Sequence, residues 1–182
     1  MATSSATETA RIWETLADEA ARESRLWADS LRPVEERETV RVFSLLCAEQ
    51  FALGVETIYE GYLLHYGRPR LFSPADADTA LLLGDYLYAH GLVRVAATGS
   101  VEAVHDLAEL ISLCAQARAD GRAGEAEAWA ATSALLGRGV LAEARSDLRE
   151  SGDATALATL ARAAAGAAAV EQACRAHDLR VG

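Results

Sequence analysis

The sequence predicts an all-α fold, a single-domain antiparallel helical bundle over residues 1–182. Three observations predict it. Ala, Leu, Glu and Arg dominate, with 40 Ala alone, and these are strong helix formers. Only three prolines occur, Pro33, Pro69 and Pro74, each where a helix begins or connects. β-Branched residues are sparse and never alternate with polar ones for long, so the period of a strand is missing. A chain of 182 residues buries a sizeable core without needing disulfides or a structural metal.

Residues 1–6 are expected to form a disordered start. A first helix is expected over about Thr7–Leu31, with Trp13, Leu16, Ala20 and Trp27 on one apolar face. Pro33 suits a first helical turn, and Glu35, Glu36 and Glu38 behind it complement the positive end of the dipole. The second helix is expected from about Val34 to Tyr66. Its core stripe runs Val40, Phe43, Cys47, Phe51, Val55, Ile58, Tyr62, His65, with Glu49, Glu56 and Glu60 off it. Gly67–Asp76 is the clearest loop, where Ser73 is placed to cap a third helix and Pro74 to open it. That helix, to about Ala97, is apolar nearly all round and is therefore expected at the centre. Thr98-Gly99-Ser100 ends it and caps a fourth helix from Val101 to about Ala119. Asp120–Gly124 breaks the chain again. Two Ala-rich helices, about 125–149 and 153–177, follow, split by Ser151-Gly152-Asp153, which makes six in all.

Charge excludes some functions. The net charge is −10, all 17 basic residues are Arg, and no window gathers the cationic footprint that nucleic acid requires. With no Lys, Schiff-base and P-loop-lysine chemistry are excluded. No apolar run reaches the roughly 18 residues of a membrane span. The start lacks the basic and apolar regions of a secretory signal. Cys47, Cys114 and Cys174 lie far apart in apolar stretches and read as buried thiols, so the expected compartment is the cytoplasm.

Two stretches carry a family resemblance. Val55-Glu-Thr-Ile-Tyr-Glu-Gly-Tyr-Leu-Leu-His-Tyr-Gly-Arg-Pro69 is similar to a helix reading V-E-x-I-H-x-x-S-L-L-H-D-D, followed by R-G-R-P. Thr79-Ala-Leu-Leu-Leu-Gly-Asp-Tyr-Leu-Tyr-Ala-His-Gly91 is similar to A-x-L-x-G-D-Y-L-L-A-x-A. Leu31-Arg32-Pro33 stands where an L-R-P is found, and 97–110 keeps a helix-turn-helix rhythm. Over residues 31–121 the chain thus resembles the trans-isoprenyl diphosphate synthases (polyprenyl synthetases). The resemblance implies a truncated isoprenoid synthase fold. Members ionise an allylic diphosphate with Mg²⁺ held by two Asp-rich motifs. Here Tyr66 stands where the first of those aspartates belongs, and its insert is missing. Ala28-Asp29-Ser30 replaces a diphosphate-binding G-K-R, and Ala131-Thr132 stands for the catalytic K-T. The resemblance therefore implies the fold without the catalytic apparatus, with no catalytic residues and no bound metal or other cofactor.

Individual residues are weighed on that basis. His65 and Tyr66 end the helix where the motif would begin, and Arg68 and Arg70 are the paired cations beside a cavity mouth. These four are the candidate ligand-binding set, able to hold an anionic head group. Asp85, in an apolar helix, is expected to be structural and paired with Arg68, Arg70 or a helix-terminal amide. Asp76 and Asp78 read as first-turn acids, and His90 with Gly91 as a mark of close helix packing. Glu102 and His105 form half of a di-iron pattern whose second half is absent. The expected role is an accessory or regulatory subunit, or an isoprenoid-binding protein. It would act as a homodimer or as a heteromer with a catalytic synthase, with an isoprenoid or other lipid as possible ligand. Two alternatives stay open. One is a prenyltransferase or terpene synthase-type enzyme using Mg²⁺ at a remodelled site drawn from Asp76, Asp78, Glu60 or Glu102. The other is a helical interaction or lipid-carrier protein.

Overall fold

The computed structural model describes residues 2–181, with side chains from Ala10 onward. Its helices are α1 (Ala2–Glu23), α2 (Arg25–Asp29), α3 (Glu49–Tyr66), α4 (Ala77–Ala96), α5 (Val101–Asp120), α6 (Glu125–Ala134), α7 (Ala142–Ser151), α8 (Thr155–Ala165) and α9 (Ala167–Val181). Strands are absent among the described residues, and Leu31 and Phe72 form an isolated antiparallel bridge. The chain is one all-α domain. The expectation of a disordered start falls on Met1, outside the described residues, and on positions 2–6, whose backbone opens α1.

The central element is α3. Its residues from Phe51 to Leu64 are buried apart from Leu53. One flank meets α1, α4 and the Leu71–Phe72 segment, and the other meets α5, α6 and α9 through Tyr59 and Tyr62, with α8 packed on α6 behind them. Glycines set the approach of α4 to α3. A Cβ on Gly61 would stand 2.9 Å from the Gly84 carbonyl oxygen, and one on Gly91 would stand 3.0 Å from that of Gly54. The pairing 54 with 91 and 61 with 84 runs in opposite senses, so the two helices are antiparallel at near-backbone contact. Gly91 thus marks close packing as expected, while His90 faces Glu19 on α1 at 3.0 Å.

Several expectations are corrected. α4 is not central: Leu81, Leu82 and Val93 are 53%, 56% and 65% exposed, and only one face, including Leu83 and Leu87, is buried. An all-apolar sequence here marks a helix with one covered and one open face. The helix expected over 34–66 starts only at Glu49, preceded by 3₁₀ turns at Val34–Glu36 and Phe43–Leu46. Residues 37–48 are held by contacts with α3 that compete with helical hydrogen bonding, described below. Ser24 caps a restart after α1 by accepting from Leu26 N–H, splitting the first helix. Asp76, not Ser73, caps α4, accepting from Thr79 N–H at 2.7 Å. Ser100 caps α5 as expected. Gly137 and Gly139, at φ +79° and +63°, divide the 125–149 helix, and Gly166 at φ +85° divides the last.

Candidate functional site

α3 presents two carboxylates, Glu56 and Glu60, to the interior, one turn apart and fully buried. Periodicity placed them off the core stripe; the structure places them under the loop that follows the helix. Arg70, also fully buried, lies between them, its Nη1 2.6 Å from Glu56 and its Nε 2.8 Å from Glu60. The remaining acceptor capacity is filled by neighbouring donors. Glu56 Oε1 accepts from Val42 N–H, Ser44 N–H and the Ser44 hydroxyl, and Glu60 Oε1 from Arg70 N–H and Leu71 N–H. Arg70 also stacks on Trp13 and Tyr59 at 4.4 and 4.9 Å. Burial alone would depress its pKa; the two carboxylates overcome that and raise it, so it stays charged. This network pins residues 40–44 and 70–71 to α3, which is why the chain does not continue as α-helix through 40–44. Arg70 is therefore committed internally, and an external anion has no access to it.

The pinned segments leave a groove against the end of α9. It measures about 500 Å³ and is lined by Arg32, Glu38, Arg68 and Arg180, with Val40 and Leu179 among its apolar walls. Its edges are fixed by backbone. Arg32 N–H donates to Leu71 C=O at 2.8 Å, Glu38 N–H to Arg70 C=O at 3.1 Å, and Arg68 N–H to Arg180 C=O at 3.0 Å. Gly67 permits that last contact, because a Cβ there would stand 2.8 Å from the Arg180 carbonyl oxygen. Glu38 Oε2 accepts from Arg180 Nη2 at 2.8 Å, and the Arg68 side chain donates to Leu179 C=O. Donation by Arg180 and the charges of Arg32 and Arg68 hold the Glu38 carboxyl below its usual range. Sequence reasoning named Arg68 here and missed Arg32 and Arg180, which sit in unrelated parts of the chain.

The four nominated residues do not form one site. Arg68 lies in the groove and Arg70 in the core. His65 turns to α4, its Nε2 3.3 Å from Asp85 Oδ1 and its ring stacked on Tyr88. Burial lowers the His65 pKa, and Asp85 opposes this. Tyr66 packs beside Tyr62 and beneath Arg118, whose guanidinium is 5.6 Å from its ring. Asp85 is corrected twice: its side chain is 66% exposed, and its partner is His65 and not Arg68 or Arg70.

Other candidate chemistry is likewise placed. Glu102 and His105 gather with Asp106 within 4.8 Å. Asp106, however, is buried against Arg145 at 3.0 Å and accepts from Gly137 N–H at 2.9 Å, so its charge is already met. Asp76 is a cap and Glu60 an internal partner of Arg70, so the remodelled metal set of Asp76, Asp78, Glu60 and Glu102 is not brought together. Cys114 is buried, Cys47 and Cys174 are half-buried, and burial pushes the latter two thiols up to about 12 and about 11. Beneath the aromatic layer, the Tyr59 hydroxyl meets His177 Nδ1 at 3.1 Å, and burial lowers His177 to about 4. Among the described residues, the lining of the groove is arginine, one glutamate and apolar side chains. No helix among the described residues is long and apolar enough to cross a membrane. No protein-family model, curated protein or solved structure matches the chain.

Proposed function

We propose that the protein is a catalytically incompetent isoprenyl diphosphate synthase-like protein, serving as an accessory subunit or isoprenoid-binding protein. The reading is supported by the fate of the α3 carboxylates. In the resembling family this helix ends in the aspartates that hold Mg²⁺. Here it ends at Tyr66, and its own Glu56 and Glu60 are consumed by Arg70 and backbone amides. The open apolar face of α4 suits contact with a second copy or a catalytic partner. Calorimetry with Mg²⁺ and farnesyl diphosphate is expected to give no stoichiometric metal-dependent heat; such a heat would overturn the catalytic half of the reading. Light scattering is expected to show a homodimer, or a heteromer when a synthase is co-expressed. A monomer of 19.3 kDa that captures no synthase would remove the subunit role. The lipid-carrier alternative gains support from the arginine-lined groove.

A further inference from the structure

We propose that the groove between residues 32–40, the 67–69 loop and the end of α9 binds a phosphate ester with an apolar tail, and that the Glu38 carboxylate occupies the head-group position until the ligand displaces it. The charge count in the groove favours this. Among the described residues, three guanidinium groups, from Arg32, Arg68 and Arg180, face one carboxylate, an excess of two positive charges on a chain of net charge −10. Glu38 answers only Arg180 by hydrogen bond; Arg32 has no carboxylate partner among the described residues. Arg68 spends one donor on the Leu179 carbonyl and keeps the rest of its five for an oxyanion. Glu38 is the solvent-facing member of the pair. Its carboxylate is 59% exposed while its Arg180 partner is 12% exposed, so the cation is fixed and the anion exchangeable.

A second feature adds the tail. A mainly apolar crevice of about 90 Å³, with Arg41 in its lining paired to Glu49, adjoins the groove and shares Val40 and Ala176 with it. Its α9 wall is Ala169, Ala173 and Ala176 together with Gln172. Its rim holds Val40 and Leu45, large apolar residues left 52% and 57% exposed. Exposed apolar side chains beside an uncompensated cationic cluster match a ligand with a charged head and a hydrocarbon tail. An inorganic anion alone would leave the crevice idle.

The proposal rests on the functional reading only for the isoprenoid nature of the tail, and the experiment separates the two. Calorimetry in EDTA compares decyl phosphate, farnesyl phosphate, decanol and inorganic pyrophosphate, each below its aggregation concentration. Decyl phosphate is expected to bind more tightly than either decanol or pyrophosphate. Glu38→Gln is expected to tighten decyl phosphate roughly three- to tenfold, the range one partly exposed charge-assisted contact commands, and to leave decanol unchanged. Arg32→Gln and Arg68→Gln are each expected to weaken it by a similar factor. Arg32→Gln serves alone if the Arg68 variant fails to give a native melting transition. Unchanged affinity in Glu38→Gln, unchanged affinity in Arg32→Gln, or pyrophosphate binding as tightly as decyl phosphate would each overturn the proposal. Equal affinity for farnesyl and decyl phosphate would instead count against the isoprenoid reading and leave the groove assignment standing.

Discussion

Two short stretches each contribute one residue to the interior and one to the groove. The 67–73 loop sends Arg70 inward and Arg68 outward; α9 sends His177 inward and Arg180 outward. Identical side chains two positions apart thus have opposite consequences. Arg70 meets two carboxylates, two aromatic faces and backbone carbonyls, in a setting where each unmade contact costs the full desolvation of a charge. Arg68 meets one carbonyl and solvent. Burial decides whether a cation is structure or recognition, and the GRPR spelling alone does not.

The sharpest way to break that contrast is Arg70→Met. It leaves Glu56 and Glu60 buried without their cation, and the expected cost is about 3–5 kcal/mol in urea unfolding. A loss below about 1 kcal/mol would mean that the cluster is hydrated and Arg70 no different in kind from Arg68. Adding Glu56→Gln and Glu60→Gln to that variant is expected to recover part of the loss, because the unpaired charges are then gone.

His177 gives the interior side a pH signature. Its folded pKa is depressed to about 4 against the ordinary 6.5, chiefly by burial. Between those values the unfolded chain holds a proton that the folded chain does not, so stability rises with pH across this window and falls as pH drops from 6.5 toward 4. The full span corresponds to about 3 kcal/mol. Urea midpoints at pH 7.5 and 4.5 are expected to differ in the parent, and the difference should shrink in His177→Gln. An equal pH dependence in both would place the titration elsewhere.

A third, smaller effect concerns the glycine contacts that hold α4 on α3. Gly61→Ala puts a Cβ 2.9 Å from a backbone carbonyl oxygen, which cannot swing aside. Overpacking of roughly 1–3 kcal/mol is partly offset by the higher helix propensity of Ala, for a net loss of about 1 kcal/mol. A stabilised variant would show that the helices part without cost.

Much of this was legible in the sequence, and the limits have physical causes. The all-α class and the breaks at 120–124 and 151–153 followed from propensity and glycine placement. The interruption at 34–48 did not, because it is imposed by Glu56 accepting from Val42 and Ser44, partners twelve or more residues away. The available signal was two glutamates one turn apart in a stretch whose other residues, Val55, Thr57, Ile58 and Tyr59, carry no charge. Carboxylates so placed must be buried and paired. The groove was half legible: Arg68 stands out beside Pro69, but Arg32 and Arg180 meet it only because α9 folds back across the loop.

The smallest expected effect is the most discriminating. Arg68→Gln removes an exposed donor to the last turn of α9 and keeps a side chain able to hydrogen-bond. Exposed interactions of this kind contribute about 0.5 kcal/mol or less, a shift of no more than about 2 °C in Tm. A neutral melt alongside weakened decyl phosphate binding identifies Arg68 as a residue kept for its charge. A loss of several kcal/mol would make Arg68 the clamp that fastens α9 to the loop, and the distinction between the two arginines would collapse, since both would then be structural.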